Sequence, residues 1–306
     1  MNRILITTGN GMFGKALAKE LINNKNIIVR LMVRDSNKVE LKSDNIEIVT
    51  ADMDQPDSLQ RTLQNVDSVY LSSPMHPNLA EREINIIHQA KVAGIKKIVK
   101  IYGSVKHEGD KLDQMHCKVI DYLKNSDINW TLVSPNSVME TSLASYQPSI
   151  AYMHAIYGIS GNAKIGLVAL KDVAVVSAHV LTTEGHSNMN YELTGPKAIN
   201  MFEVAQAFSN VLNKKIFYID LTEEQLTKML MKYDKSTTLQ KLELEVLCHL
   251  RAWKKGNANL ETDTFRMLMN KQPTSIEEYI KDNIAYYSKG LLPSPIAWLI
   301  RKTQIF

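Results

Sequence analysis

Three glycines near the start of the chain, Gly9, Gly11 and Gly14, have the spacing G-x-G-x-x-G. In a strand–turn–helix unit, this spacing lets backbone N–H groups approach a pyrophosphate, because no side chain stands in the way. The apolar run at residues 4–6 predicts a buried strand, and the apolar residues after the turn recur at the helical period. We therefore predict a dinucleotide site; the alternative is a glycine-rich turn without a ligand. The residues expected to face the pyrophosphate are Thr8, Gly9, Asn10, Gly11, Met12, Phe13 and Gly14.

A second predicted strand, residues 27–33, ends directly before Arg34, which stands 20 positions after Gly14. At this distance an acidic residue binds the ribose hydroxyl of NAD, whereas an arginine suits the 2′-phosphate of NADP. Arg34 and Lys38 together offer a guanidinium and an ammonium to such a phosphate. Asp35 lies beside Arg34, so a shift of one residue favours NAD instead. The sequence favours NADP(H) over NAD(H), and the alternative without a ligand is a solvated charge at a strand end.

Strands and helices alternate regularly as far as residue 139, which is typical of βαβ units and a parallel sheet. We predict an α/β fold, a Rossmann-type doubly wound parallel sheet with a smaller, mostly helical C-terminal lobe. Residues 1–138 form the NAD(P)-binding domain in this prediction, with its last elements completed by residues 165–195. Residues 139–306 form mostly the substrate-side lobe. The apolar end, residues 291–306, favours a docked terminal helix or a dimer contact over a membrane-surface anchor.

Ligands of such sheets bind beyond the carboxyl ends of the strands, so the residues that follow the strands are site candidates. These strand ends are expected to line one crevice. The predicted cofactor contacts there are Ser72, Ser73, Tyr102 and Gly103. The predicted substrate contacts are His76 and Asn136.

Tyr102 and Lys106 have the spacing Y-x-x-x-K, which on a helix places a tyrosine acid and a lysine on one face. Here Tyr102 ends a predicted strand and Gly103 interrupts any helix. The spacing therefore does not require the side chains to converge, and we interpret it as a coincidence. His116 lies on the next predicted helix, where a histidine can donate a proton or position a substrate; the alternative is a partly buried packing histidine. His116 and Tyr102 are the catalytic candidates.

The composition excludes several other classes of protein. The 306 residues are 44% hydrophobic and 22% charged, as in ordinary soluble proteins, and a net charge of +4 without a basic run argues against nucleic acid. Cys117 and Cys248 lack metal-type spacing, so we predict no metal site and expect reduced thiols. The chain has no apolar run long enough to span a membrane and no signal-peptide core near Met1. A cytoplasmic location is predicted.

Seven stretches of the chain together resemble the NmrA-like group of atypical short-chain dehydrogenase/reductases, over essentially the whole length. They are the glycine turn, VRLMVRDSNK, ADMDQPDSL, VDSVYLSSP, QMHCKVIDYLKNSDINWTLVSP, YELTGPKAINMFEVAQAFSNVL and LRAWKKGNANLETDTFRMLMNKQPTSIEEYI. The resemblance implies cofactor-facing positions for the glycine turn, Arg34, Ser72-Ser73 and Tyr102. It also relates His116 to a histidine of the quinone-reductase-like members.

The chain departs from the pattern of this family at four positions. In the usual T-G-x-x-G-x-x-G turn, Thr8 replaces the first glycine. Ile120 stands where a carboxylate is expected, four residues after the histidine. In the L-R-P-G pattern after the sixth strand, Ser134 replaces the arginine and Asn136 the glycine. These departures imply a site that is less polar than that of the reductases and differently shaped.

The resemblance implies an NADPH-dependent reductase that passes a hydride to an electron-poor small-molecule acceptor, such as a quinone, held under the C-terminal lobe. Such an acceptor needs no strong general acid, which agrees with the lack of a helical tyrosine–lysine pair. The alternative is an NADP(H)-sensing regulatory binding protein without catalysis, acting as a homodimer or with a regulatory protein partner. A third hypothesis, a nucleoside-diphosphate-sugar epimerase-like enzyme, is disfavoured by the same missing pair.

Overall fold

The computed structural model describes residues 1–107 and 111–288. The prediction of a docked helix or dimer contact at residues 291–306 lies outside the described residues. Among the residues described, no helix has the length and apolar content needed to cross a membrane.

The bounds of the regular elements are as follows. The strands are β1 (Asn2–Ile6), β2 (Ile27–Val33), β3 (Ile46–Thr50), β4 (Ser68–Leu71), β5 (Lys97–Ile101), β6 (Asn129–Pro135), β7 (Ser137–Val138), β8 (Ala155–Gly158), β9 (Leu167–Val168), β10 (Met189–Leu193) and β11 (Phe217–Asp220). The helices are α1 (Met12–Leu21), α2 (Pro56–Thr62), α3 (Leu79–Val92), α4 (Lys111–Lys124), α5 (Met139–Ser142), α6 (Leu170–Thr182), α7 (Met201–Leu212), α8 (Glu223–Tyr233), α9 (Leu239–Leu242), α10 (Cys248–Lys254), α11 (Thr264–Met269), α12 (Ile276–Asp282) and α13 (Ile284–Ser288). Short 3-10 and π turns span Ser36–Lys38, Ala144–Tyr146, Ser149–Met153 and Glu243–Leu247.

Seven strands form one parallel sheet in the order β10-β6-β5-β4-β1-β2-β3. The strand order reverses at β1 and β4, which are neighbours, and this is the switch point where such sheets bind ligands. The central strand has fully buried side chains at Ile4, Leu5 and Ile6, because helices cover both faces of the sheet. The predicted α/β fold with a Rossmann-type parallel sheet is confirmed.

Each face of the sheet has its own apolar core. On one face, side chains of α2, α3 and α4 pack on the sheet, with Leu59, Ile86 and Val119 fully buried. On the other face, α1 packs against α6, and Leu17 and Val176 are fully buried there. β10 pairs with β6 and adds a seventh strand at the edge, so residues beyond 139 contribute to the sheet as well as to the C-terminal lobe.

A third core lies in the C-terminal lobe. Phe208 on α7 contacts Tyr287 on α13 edge-to-face, with ring centroids 4.7 Å apart, and both side chains are buried. Trp253 on α10 is also buried there, and its indole N–H donates to the Ser137 hydroxyl at 2.9 Å. The lobe therefore packs directly on the segment that follows β6, at the carboxyl edge of the sheet. Its mostly helical character agrees with the prediction.

Candidate active site

The glycine turn, which we call the phosphate turn (residues 8–14), closes tightly on itself. A Cβ at Gly14 would lie 2.0 Å from the Thr8 carbonyl oxygen, and a Cβ at Gly9 would lie 2.7 Å from the Cβ of Leu31 on β2. The Gly11 N–H donates to the Thr8 carbonyl at 2.8 Å. Gly14 therefore lets α1 approach the end of β1, and Gly9 lets the turn pass over β2.

The exposed part of the phosphate turn presents backbone rather than side-chain charge. Asn10, Gly11, Met12 and Phe13 are half-buried, and the first turn of α1 contains no acidic residue. The first N–H groups of an α-helix have no acceptor within the helix, and the helix dipole adds partial positive charge at this end. The turn thus has the accessibility and the polarity that a pyrophosphate needs, and its residues fit a dinucleotide.

Thr8, which replaces the first family glycine, joins the phosphate turn to the end of β4. Its hydroxyl lies 2.6 Å from the Ser72 hydroxyl. The neighbouring Thr7 hydroxyl donates to the Ser72 carbonyl at 2.7 Å and accepts from the Ser72 N–H at 3.0 Å. These bonds hold the ends of β1 and β4 together at the switch point. Thr8, in place of the family glycine, therefore links two strand ends, and the phosphate turn stays closed.

Arg34 and Asp35 follow β2 and differ in whether their charged groups already have partners within the protein. The Asp35 carboxylate accepts from the Asn37 N–H at 3.0 Å and lies 3.7 Å from the Lys38 ammonium. Arg34 is exposed and forms no ion pair within the described ranges 1–107 and 111–288. The guanidinium of Arg34 is therefore more available to an anionic ligand than the ammonium of Lys38, which has Asp35 beside it.

A buried ion pair supports the segment after β4, and no local sequence pattern signals it. Lys100 on β5 and Glu83 on α3 form this pair, both almost completely removed from solvent. The Ser73 hydroxyl donates to the same Glu83 carboxylate at 2.8 Å. Ser73 is thus held by Glu83, and its contact with a cofactor stays a prediction.

Tyr102 and Lys106 are in contact, so the two side chains converge, which our interpretation of their spacing as a coincidence did not expect; a catalytic role of the pair stays a prediction. The Lys106 ammonium donates to the Tyr102 hydroxyl at 3.3 Å and lies 5.1 Å from the ring centroid. The pair does not sit on a helix; the loop after β5 folds back and brings the two side chains together. Burial raises the pKa of the Tyr102 phenol, and the nearby Lys106 charge opposes this only partly. Tyr102 therefore carries its proton at neutral pH.

His116 on α4 packs edge-to-face against Tyr102, with ring centroids 5.3 Å apart. The ring as a whole is half-buried, yet its Nδ1 is sealed from solvent and has no hydrogen-bond partner in the described part of the chain. Burial lowers the pKa of this imidazole well below its usual value, and the charges of Lys100 and His107 act in the same direction. His116 is thus a neutral imidazole. Asp113 does not orient it, because that carboxylate accepts from the His107 N–H.

The remaining candidates differ in how far their side chains are engaged. His76 is half-buried, and its Nδ1 accepts from the Asn78 N–H at 3.1 Å. Asn136 is buried, and its amide donates to the Ala258 carbonyl at 3.3 Å, which ties the C-terminal lobe to the sheet. Gly103 is exposed, and an added Cβ would meet nothing within 4 Å. The ligand contacts predicted for these three residues stay predictions.

The loop after β5 also brings His107 to two adjacent residues, Cys248 and His249, which are distant from it in the sequence. His107 Nε2 lies 2.8 Å from His249 Nδ1, and the buried Cys248 lies beside them. No metal site was predicted, because the two cysteines lack metal-type spacing, and 141 positions separate His107 from Cys248. We call the loop residues 102–107, with the parts of α4 and α10 that contact them, the β5 junction.

The strand order, with its switch point at β1 and β4, and the glycine turn define a Rossmann-type dinucleotide-binding protein. The NAD(P)H-binding family matches residues 9–184, which is more than half of the chain, and the chain belongs to this family. The resemblance to NmrA-like atypical short-chain dehydrogenase/reductases is thereby confirmed.

Curated and solved relatives agree with this assignment. The NAD(P)H azoreductase of Xenophilus azovorans is 28% identical over 225 residues, covering 72% of this chain and 78% of the relative. The triphenylmethane reductase of Citrobacter sp. has a TM-score of 0.83 at 22% identity, over 93% of this chain and all of that one. The NADPH complex of an Escherichia coli quinone oxidoreductase has a TM-score of 0.82 at 24% identity, over 92% of this chain and 99% of that one. At these identities, the two structures show the fold alone.

Proposed function

We propose that this chain is an NADPH-dependent reductase that passes a hydride to an electron-poor acceptor such as a quinone. The observation that carries the proposal is the set of residues that meets at the carboxyl ends of the parallel strands. The phosphate turn, Arg34 and the Tyr102 side chain all lie at the carboxyl edge of the sheet, and the C-terminal lobe packs over that edge. The azoreductase, dye-reductase and quinone-reductase relatives support this class of acceptor.

We propose that successive strand ends bind successive parts of the cofactor and the acceptor. Arg34, after β2, binds the 2′-phosphate, because its guanidinium is not engaged by a described carboxylate while Asp35 is already hydrogen-bonded to its own turn. The first turn of α1 binds the pyrophosphate. The Tyr102 end of the crevice, beyond β5, then holds the acceptor beside the nicotinamide.

NADPH, when bound, supplies the hydride, and the protein supplies positioning and a proton. The Lys106 ammonium donates to the Tyr102 oxygen, which leaves the phenolic proton directed away from Lys106. Because burial raises the pKa of this phenol, Tyr102 acts as a hydrogen-bond donor to an acceptor oxygen and gives up its proton only as negative charge develops there. His116, a neutral imidazole, packs against the Tyr102 ring and positions it, while its own Nδ1 is sealed from solvent.

The test is to follow NADPH absorbance with the purified protein and a panel of quinones, azo dyes and triphenylmethane dyes. Turnover of at least one class is expected, and a Tyr102→Phe variant is expected to keep NADPH affinity while losing turnover. Tight NADPH binding without turnover of any acceptor would refute the reductase proposal and support the sensor hypothesis instead. NADPH binding itself is measured separately, by fluorescence titration, so that the two results are independent.

A further inference from the structure

His107, Cys248 and His249 bring two imidazole nitrogens and one sulfur into a single cluster at the β5 junction. The His107 Nε2 and His249 Nδ1 atoms are 2.8 Å apart, and the three donor atoms all lie within 4.8 Å of one another. Within residues 1–107 and 111–288, this is the one group of its kind. Nitrogen and thiolate ligands together are the donor set that zinc takes in proteins. We propose that this cluster binds Zn²⁺.

The surroundings of His107 orient its ring for metal binding. The Asp113 carboxylate accepts from the His107 backbone N–H at 2.9 Å, and its other oxygen lies 3.8 Å from the ring Nδ1. A metal-bound histidine commonly turns its second ring nitrogen toward a carboxylate, which fixes the nitrogen that faces the metal. The Asp113 carboxylate lies beside Nδ1 of His107 at 3.8 Å without a hydrogen bond to it, and Nε2 is the ring nitrogen that faces His249.

The three donor atoms lie within 4.8 Å of one another and have to move to zinc-bonding distances. Zinc bonds of 2.0–2.1 Å to nitrogen and 2.3 Å to sulfur place two nitrogens about 3.3 Å apart, and a nitrogen and a sulfur about 3.5 Å apart. The His107 and His249 nitrogens share one proton at 2.8 Å, and the cation takes the place of that proton as they separate by roughly half an ångström. The Cys248 thiol donates to the Leu244 carbonyl at 3.2 Å and binds zinc as the thiolate, with release of its proton.

Burial and exposure at the cluster suit a metal that enters from solvent. Cys248 is 5% exposed, and the His107 side chain is 7% exposed, so most of the site is dry. His249 is half-buried. The three ligands among the described residues account for three of the four positions of a tetrahedral zinc ion.

Zinc at this site joins two segments that are distant in the chain. His107 belongs to the loop that carries Tyr102, and the other two ligands begin α10 of the C-terminal lobe. An existing bond supports the same junction, since the Asn257 side chain donates to the Lys106 carbonyl at 2.8 Å. A cation that binds the folded chain but not the unfolded chain stabilises the fold. Zinc therefore stabilises the contact between the C-terminal lobe and the β5 junction.

The experiment uses the full chain freed of metal with a chelator and then dialysed. Zinc is titrated against a chromophoric chelator, and Tm is recorded with and without zinc. We expect one equivalent to bind and Tm to rise by on the order of 5 °C. With Co²⁺ in place of zinc, we expect a thiolate-to-cobalt charge-transfer band. Cys248→Ser is expected to abolish that band, and His107→Gln is expected to weaken zinc binding about 10- to 100-fold.

Matched controls are Cys117→Ser on the exposed side of α4 and His88→Gln on α3, both of which should bind zinc as the parent does. Circular dichroism and Tm of each metal-free variant show whether it has folded. A cobalt thiolate band that survives in Cys248→Ser, or zinc affinity that is equal in His107→Gln and His88→Gln, would overturn the proposal. No readout depends on NADPH turnover, so this result is independent of the proposed reductase activity.

Discussion

The phosphate turn and the β5 junction lie at the same edge of the sheet but are built differently. The phosphate turn is one continuous segment in which Gly14 and Gly9 let backbone pass close to backbone. The β5 junction is assembled from a loop, α4 and α10, and its contacts are between side chains such as Tyr102 and Lys106. A substitution in the first region therefore acts through steric fit, whereas one in the second acts through charge, protonation and hydrogen bonding.

The largest effect is expected from Gly14→Val. Its Cβ would lie 2.0 Å from the Thr8 carbonyl oxygen, so α1 has to move away from β1. We expect a loss of about 3 kcal/mol or more in the free energy of unfolding and an approximately 100-fold loss of NADPH affinity. Urea unfolding and fluorescence titration measure the two quantities.

The matched control lies in the β5 junction. Gly103→Ala adds a Cβ that meets nothing within 4 Å, so its unfolding free energy is expected to stay within about 0.5 kcal/mol of the parent. Equal destabilisation by the two substitutions would break the distinction between the regions.

A buried carboxylate between distant segments is expected to give the next largest effect. Glu140 on α5 accepts from the Leu170 N–H at 2.8 Å, and burial raises its pKa to about 7. The native state then holds a proton that the unfolded chain, with a pKa of 4.5, has released, so stability falls as pH rises from about 4.5 to 7. Over this pH range the free energy of unfolding falls by about 3 kcal/mol.

Glu140→Gln is therefore expected to stabilise the protein by about 2–3 kcal/mol at pH 8 and to have little effect near pH 4.5. Urea unfolding at both pH values measures this. Glu203→Gln is the control, and its effect on stability is expected to have the opposite sign. The Asn200 N–H donates to the half-exposed Glu203 carboxylate and lowers its pKa. Loss of this carboxylate is therefore expected to destabilise α7 at pH 8. If the free energy of unfolding of Glu140→Gln depends on pH as that of the parent does, the raised pKa assigned to Glu140 is contradicted.

Arg34→Ala tests the cofactor preference at the edge of the phosphate turn. Loss of a charged hydrogen bond to the 2′-phosphate is expected to lower NADPH affinity about 10- to 100-fold and to leave NADH affinity unchanged. Lys38→Ala is expected to change NADPH affinity less, because Asp35 lies 3.7 Å from that ammonium. A variant without Arg34 that still prefers NADPH to the same degree would refute this role.

The smallest effect is expected from His116→Ala in the β5 junction. The neutral imidazole packs against the Tyr102 ring and holds it in place, so we expect its removal to lower kcat for an identified acceptor about tenfold. Because the pKa of His116 is lowered below 6.5, the ratio of parent to variant rates should be constant from pH 6.5 to 8. Unchanged turnover in the His116→Ala variant would show that His116 has only a packing role.

Much of the fold was predictable because the signals are local. The bounds predicted for β2, residues 27–33, agree with the structure. Strand and helix periodicities depend on neighbours a few residues apart, and βαβ alternation then favours a parallel sheet. The phosphate turn was predictable for the same reason, since its strand, glycines and helix follow one another directly.

The sequence alone determined the parallel sheet, the phosphate turn and the basic residue that follows β2, because each depends on a short continuous segment. Only the tertiary structure decided that Lys106 meets Tyr102, that Glu83 and Lys100 pair under Ser73, and that His107 meets His249. The last pair is separated by 142 positions. Such contacts depend on how α3 packs on the sheet and how the loop after β5 folds back and meets the C-terminal lobe, and no spacing along the chain encodes these paths.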